Sequence, residues 1–206
     1  ESINQILITL LEAYLLVSVI VYLFLQDLRT TIIPALAIPV SLVGTFFFLY
    51  IMGFSINILT MFALVLSIGI VVDDAIVVVE AVVQKMDETG MKAKPATSLV
   101  MSEITGAILS ITLVMAAVFF PVGFMDGPVG LFYQQFAFTL AVAILISAVN
   151  ALTLSPVLCA IFLKPKNQKS EKKTGLTNRV VTSFNAGFDA FQNRYIGVIK
   201  PLIKHK

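Results

Sequence analysis

The sequence predicts an all-α membrane protein: five transmembrane helices followed by one amphipathic helix at the cytoplasmic surface. Three observations carry this. Of the 206 residues, 58% are hydrophobic and 13% charged, with a mean hydropathy of +0.97, whereas an ordinary soluble domain has about 25% charged residues. Apolar runs lie near 6–25, 32–53, 58–79, 104–124 and 136–158, each reaching the ~20 residues a helix needs to cross a bilayer core. The 14 Lys and Arg are confined to alternate connectors and the tail.

The first run carries one charged residue, Glu12, about six residues in, and the second carries Pro34 and Pro39 near its start. Neighbouring helices, hydroxyls and local adjustments let a membrane helix tolerate such prolines. The third, Leu64-Val-Leu-Ser-Ile-Gly-Ile-Val-Val-Asp-Asp-Ala-Ile-Val-Val-Val79, is rich in β-branched residues that favour a strand in water. In lipid each backbone group must be satisfied within the segment, so the helix wins. The fourth and fifth runs carry no charged residue, and Cys159, near the end of the fifth, reads as a small apolar filler. A single Cys builds neither a disulfide framework nor a Cys-rich metal site, and no cofactor is expected.

Charge then orients the chain. Arg29 lies in the first connector, Lys85, Lys92 and Lys94 in the third, and ten basic residues follow the fifth run, while the second connector around Phe54–Asn57 and the fourth, Met125–Gln135, carry none. The positive-inside rule assigns the basic side to the cytoplasm, which puts the N-terminus in the periplasm, as in a multi-pass bacterial inner-membrane protein. Nothing signal-like precedes the first run, so the chain is expected to be an internal piece of a longer protein.

Two regions follow, a transmembrane bundle over 1–163 and a basic tail over 164–206. In the tail, Leu176, Val180, Phe184, Phe188, Phe191, Tyr195, Ile199 and Leu202 recur three or four apart, with Arg179, Asn185, Gln192 and Arg194 on other faces. That spacing predicts an amphipathic helix lying on the inner leaflet. A nucleic-acid patch is disfavoured because no stacking aromatics accompany residues 164–173.

The chemistry sits at Asp73 and Asp74. An ionised Asp near the centre of a membrane helix costs about 2.5–3.5 kcal/mol, so two in succession point to a use. Successive helical residues diverge by about 100°, and the pair therefore addresses two neighbouring faces. Asp74 shares its stripe with Ala63, Ser67 and Ala81, small residues that let another helix approach closely; Asp73 aligns with Gly69 and Glu80. No Lys, Arg or His lies within the five runs. Either at least one carboxyl is protonated, or cations arrive from helices outside this segment. Both describe a proton-relay site whose affinity changes as helices shift.

At these residues a family resemblance appears. Phe54-Ser-Ile-Asn57, Leu59-Thr-Met61 and Gly69-Ile-Val-Val-Asp-Asp-Ala-Ile-Val-Val-Val-Glu80 resemble the fourth transmembrane helix of resistance-nodulation-division (RND) efflux pumps of the hydrophobe/amphiphile, multidrug branch. Tyr22-Leu-Phe-Leu-Gln26, Pro39 to Thr45, Phe119-Phe-Pro121 and Leu154-Ser-Pro-Val-Leu-Cys159 extend the likeness over the whole chain. The resemblance implies the second to sixth transmembrane helices plus the start of the cytoplasmic linker helix of a proton/drug antiporter, not an enzyme. It implies that Asp73 and Asp74 take up and release protons as the coupling ion, facing Lys and Arg from the remaining half. It further implies a homotrimer in the lipid bilayer, a periplasmic adaptor, an outer-membrane channel, and hydrophobic or amphiphilic drugs bound outside this chain.

Two departures stand out: Glu80 is followed by Ala81 where members usually have Asn, and Gln134 occupies a position where an Arg is expected. A metal-exporting relative would carry a single acid instead of the doublet. An intramembrane aspartyl protease needs its acids on two facing helices, which this chain lacks. A non-transporting sterol-sensing-like bundle also bears such a pair, but the Val-Val-Val-Glu continuation and the short outer loops favour the exporter. Glu12 is left between a proton-entry acid and one reaching the interface or bonding a neighbouring helix.

Overall fold

The computed structural model describes residues 2–164 together with 192 and 194–196. The chain separates into two compact units, Glu1–Lys166 and Asn167–Lys206. The amphipathic helix expected in the tail lies outside the described residues, save that Gln192, Arg194, Tyr195 and Ile196 are helical. The first unit is helical from end to end, with α1 Ser2–Leu25, α2 Leu28–Ile51, α3 Ile58–Thr89, α4 Ala93–Phe119, a 3-10 turn Pro121–Phe124, α5 Pro128–Leu152 and α6 Leu154–Phe162. Among the described residues there is no strand. Five segments are long and apolar enough to cross a membrane: Leu7–Leu25, Leu28–Ile51, Ile58–Thr89, Ala93–Phe124 and Val129–Phe162.

Local chemistry sets the helix ends. Asn57 caps α3 in a reciprocal box with Thr60, whose amide donates to the Asn57 side chain at 2.9 Å while the Asn57 amide donates to the Thr60 hydroxyl at 2.8 Å. Gly90, at φ +70°, ends the helix in the left-handed region, where a residue without Cβ fits at no steric cost. α3 thus runs ten residues beyond the apolar run ending at 79, because its last turns are polar helix formers. Gln84 bonds Glu88 at 2.9 Å, and Lys85 pairs with Glu103 of α4 at 3.1 Å. Lys85 and Lys94 accordingly belong to helices, not to the connector assigned from sequence. α4 likewise starts at Ala93 instead of 104, with Pro95 in its first turn, where a missing amide costs nothing. Arg29 is in the first turn of α2, and Pro34 and Pro39 sit inside an unbroken helix.

The fifth span departs further from expectation. It is two helices, broken at Thr153 (φ −122°, ψ −65°). Pro156 has no amide to offer the carbonyl four residues back, so the hydrogen-bond ladder of α5 does not continue through it.

α3 and α5 form the interior, with α2 and α4 flanking them and α1 at the edge. One core cluster joins Leu10 and Val21 of α1, Ile38 of α2, and Leu64, Ile68 and Val71 of α3. The other joins Ile33, Val78, Val82, Val100 and Cys159 from α2, α3, α4 and α6. Phe138 meets Phe54 and Phe124 at the end opposite the lysines, its ring centroid 6.2 Å from each of theirs, beside the bond from Asn57 to Gln135 of α5. α3 and α5 therefore run parallel, from this aromatic end toward the basic end.

Two predictions arise here. A Cβ on Gly130 would lie 2.1 Å from the Met125 carbonyl oxygen, so Gly130→Ala is expected to destabilise the aromatic end by about 1–3 kcal/mol, read as a lowered melting temperature in detergent. Glu103 is half exposed, at 53%, so Glu103→Gln should cost under about 1 kcal/mol, with the difference vanishing in high salt.

Candidate functional site

The acid pair lies on the fifth helical turn of α3, and its two members meet different surroundings. Asp74 is half-buried, and its Oδ2 accepts a bond of 2.5 Å from the hydroxyl of Ser147 on α5. Ala63 and Ser67, eleven and seven residues before Asp74 on the same stripe, are 0% and 1% exposed. The small-residue stripe read from the sequence is thus the α3 surface that α5 approaches. With lipid tails as apolar as the helices, close approach and interhelical hydrogen bonds hold such a contact together.

Asp73 points elsewhere. It is exposed on a continuous stripe with Leu66, Gly69, Val77 and Glu80, a face of α3 that nothing among the described residues covers. Lys85, eleven residues past Asp74 and thus about 16 Å along the helix, is paired with Glu103. Among the described residues no ion pair reaches either aspartate.

Sequence reasoning missed three buried polar side chains that join helices of the bundle: Ser147, which meets Asp74, and the pair Asn150 and Ser41. Ser147 is 1% exposed; one turn further along α5, Asn150, 8% exposed, donates from Nδ2 to the Oγ of Ser41 on α2 at 2.7 Å. The signal was there: Ser147 and Asn150 are polar, three apart, in an otherwise apolar run. Of the other singled-out residues, Glu12 is exposed on α1, away from the bundle. Gln134 donates from Nε2 to the Gly123 carbonyl at 2.8 Å and so holds the 3-10 turn. Ala81 is partly buried against the core cluster around Val82.

A model of the AcrB/AcrD/AcrF family matches residues 1–206. The chain belongs to this family. Its sequence is 45% identical to the multidrug export protein AcrF of Escherichia coli K12 over 98% of the chain. It is also 45% identical to the toluene efflux pump membrane transporter TtgB of Pseudomonas putida over its full length, and 43% identical to the multidrug resistance protein MdtF of E. coli K12 over 98%. In each case it spans 19% of the relative's length. The RND resemblance seen in the sequence is therefore correct for every part of this AcrB-type chain, which is a multi-pass membrane segment of an efflux-transporter family.

Proposed function

We propose that this segment is part of the proton-translocating domain of a proton-driven multidrug exporter, with Asp73 and Asp74 binding and releasing the coupling protons. One observation carries the reading: Asp74 is held by Ser147 inside the bundle, while its neighbour Asp73 faces out through a side that nothing among the described residues covers. Such a doublet connects the bundle interior to whatever packs on the open face. Lys and Arg of the remaining half of the transporter are the natural occupants, since they stabilise the ionised pair and let its proton affinity change as helices move.

The positive-inside rule places the basic end, with Arg29, Lys85, Lys92 and Lys94, in the cytoplasm and the aromatic end in the periplasm of a bacterial inner membrane. The names of AcrF, TtgB and MdtF support export of drugs or solvents. Hydrophobic or amphiphilic substrates, a homotrimeric assembly, a periplasmic adaptor and an outer-membrane channel belong to the same reading. Infrared difference spectroscopy on the complete transporter tests it. A carboxyl band that comes and goes with drug-driven turnover, and is lost in Asp74→Asn, is expected; a spectrum in which neither acid changes ionisation sinks the proposal.

A further inference from the structure

We propose that the break between α5 and α6 is a hinge, about which α5 tilts against α3 when the state of Asp74 changes while α6 stays seated in the core of the basic end. The hinge itself stands on the helix geometry, and its link to Asp74 rests on the proton-binding reading above.

The two sides of the break are anchored differently. α5 is tied to α3 by the Ser147 hydroxyl on Asp74 and to α2 by the Asn150 amide on Ser41. α6 packs against α2, α3 and α4 as well as α5, with Cys159, 0% exposed, in the cluster of Ile33, Val78, Val82 and Val100. Thr153 belongs to the α5 side. Its amide is shared between the carbonyls of Val149 at 3.0 Å and Asn150 at 3.4 Å, and its hydroxyl also donates to Val149 at 2.5 Å. These bonds close α5, and α6 starts afresh with a long bond of 3.4 Å from the Val157 amide to the Thr153 carbonyl. A helix-terminal residue so placed absorbs the φ/ψ change of a hinge.

The break also leaves a bond unmade, which gives the hinge its second position. Ser155 is 0% exposed and its hydroxyl has no partner among the described residues, while the Leu152 carbonyl three residues back receives no amide from Pro156. Leaving a buried donor unpaired is costly. Elsewhere in this bundle serines bond the carbonyl three residues back, Ser67 on Leu64 at 2.7 Å and Ser102 on Leu99 at 2.6 Å. Bringing α5 into line with α6 gives Ser155 the same bond to Leu152. In the broken form Ser147 stays on Asp74 and Ser155 goes unpaired; in the straight form α5 leans off Asp74 and Ser155 is satisfied. A change at Asp74 therefore selects between the two.

The test places spin labels on either side of the break. Leu145 and Ile161 are exposed, at 52% and 66%, and lie about 24 Å apart along a continuous helix, a span that paired labels measure. In the complete transporter carrying Leu145→Cys and Ile161→Cys, with its native cysteines, Cys159 among them, replaced by Ala, two distances are expected, and their ratio should change between drug-free and drug-driven conditions. Ser155→Ala breaks no hydrogen bond of the present structure and should shift that ratio toward the broken form about fivefold. Pro156→Ala returns an amide to the Leu152 carbonyl; it should hold a single distance and slow efflux about tenfold with drug binding unchanged. A merely structural proline would change the amount of folded protein and leave the distances and the turnover per molecule as in the parent. If Pro156→Ala folds poorly, the parent and Ser155→Ala decide the matter. One distance in the parent throughout turnover, or a ratio untouched by Ser155→Ala, overturns the hinge. Undiminished efflux in Asp74→Asn overturns the proton-binding reading instead and leaves the hinge standing.

Discussion

Replacing either Asp73 or Asp74 with Asn in the complete transporter is expected to abolish drug resistance while leaving the protein in the membrane at its normal level. The substitution separates charge from shape. Asn has the same outline as Asp, and its side-chain carbonyl still accepts the hydrogen bond that Ser147 gives Asp74, so the α3–α5 contact keeps its geometry. What disappears is a group that exchanges a proton. Insertion becomes easier, since each ionised Asp removed from a helix centre saves about 2.5–3.5 kcal/mol; a loss of protein would therefore be unexpected. Each proton no longer moved down a 100 mV potential forgoes about 2.3 kcal/mol, or about a 50-fold difference in the drug gradient that can be sustained. Resistance assays paired with immunoblots of membrane fractions make the measurement. Undiminished efflux in either variant would show that the doublet is not the coupling site.

The doublet was legible because it breaks a local rule: two carboxyls inside an apolar helical run stand out without knowledge of any partner. The polar groups around it were not, because their contacts are remote in the chain. Ser147 lies 73 residues from Asp74, and Asn150 lies 109 from Ser41. Each looks like an isolated, tolerable hydroxyl or amide until the helices are brought together. Helix ends show the same division. The Asn57–Thr60 box is a short-range pattern. The extension of α3 to Thr89 is supported by the pair between Lys85 and Glu103, eighteen residues apart across a turn. A hydropathy run registers only the apolar middle of such a helix. The break at Thr153 was written in Leu154-Ser-Pro156, but apolarity masked it, since a span continuous in hydropathy need not be continuous in hydrogen bonding. That Asp73 and Asp74 address different faces followed from the 100° step alone; which face is covered within this chain did not.

The second large effect is expected from Ser67→Leu, which should lower the folded protein in the membrane and abolish efflux together. Ser67 is 1% exposed, seven residues before Asp74 on the stripe that α5 approaches, and its hydroxyl closes locally on the Leu64 carbonyl at 2.7 Å. Removing that hydroxyl leaves no distant group unsatisfied, so Ser67→Ala should change stability by no more than about 0.5 kcal/mol. Leu at the same point has no room. Inserting extra carbons into a packed contact costs about 1–3 kcal/mol, and the direct relief is to push α5 away from α3. That displacement acts on the functional site, because the bond from Ser147 to Asp74 spans the same interface two turns further on. A hydrogen bond weakens steeply once its partners separate. Melting temperature in detergent and drug efflux, measured for both variants, separate packing from chemistry. Leu should fail in both, Ala in neither. If Ser67→Leu melts and pumps like the parent, α3 and α5 are not in close contact along this stripe, and Asp74 is not positioned by α5.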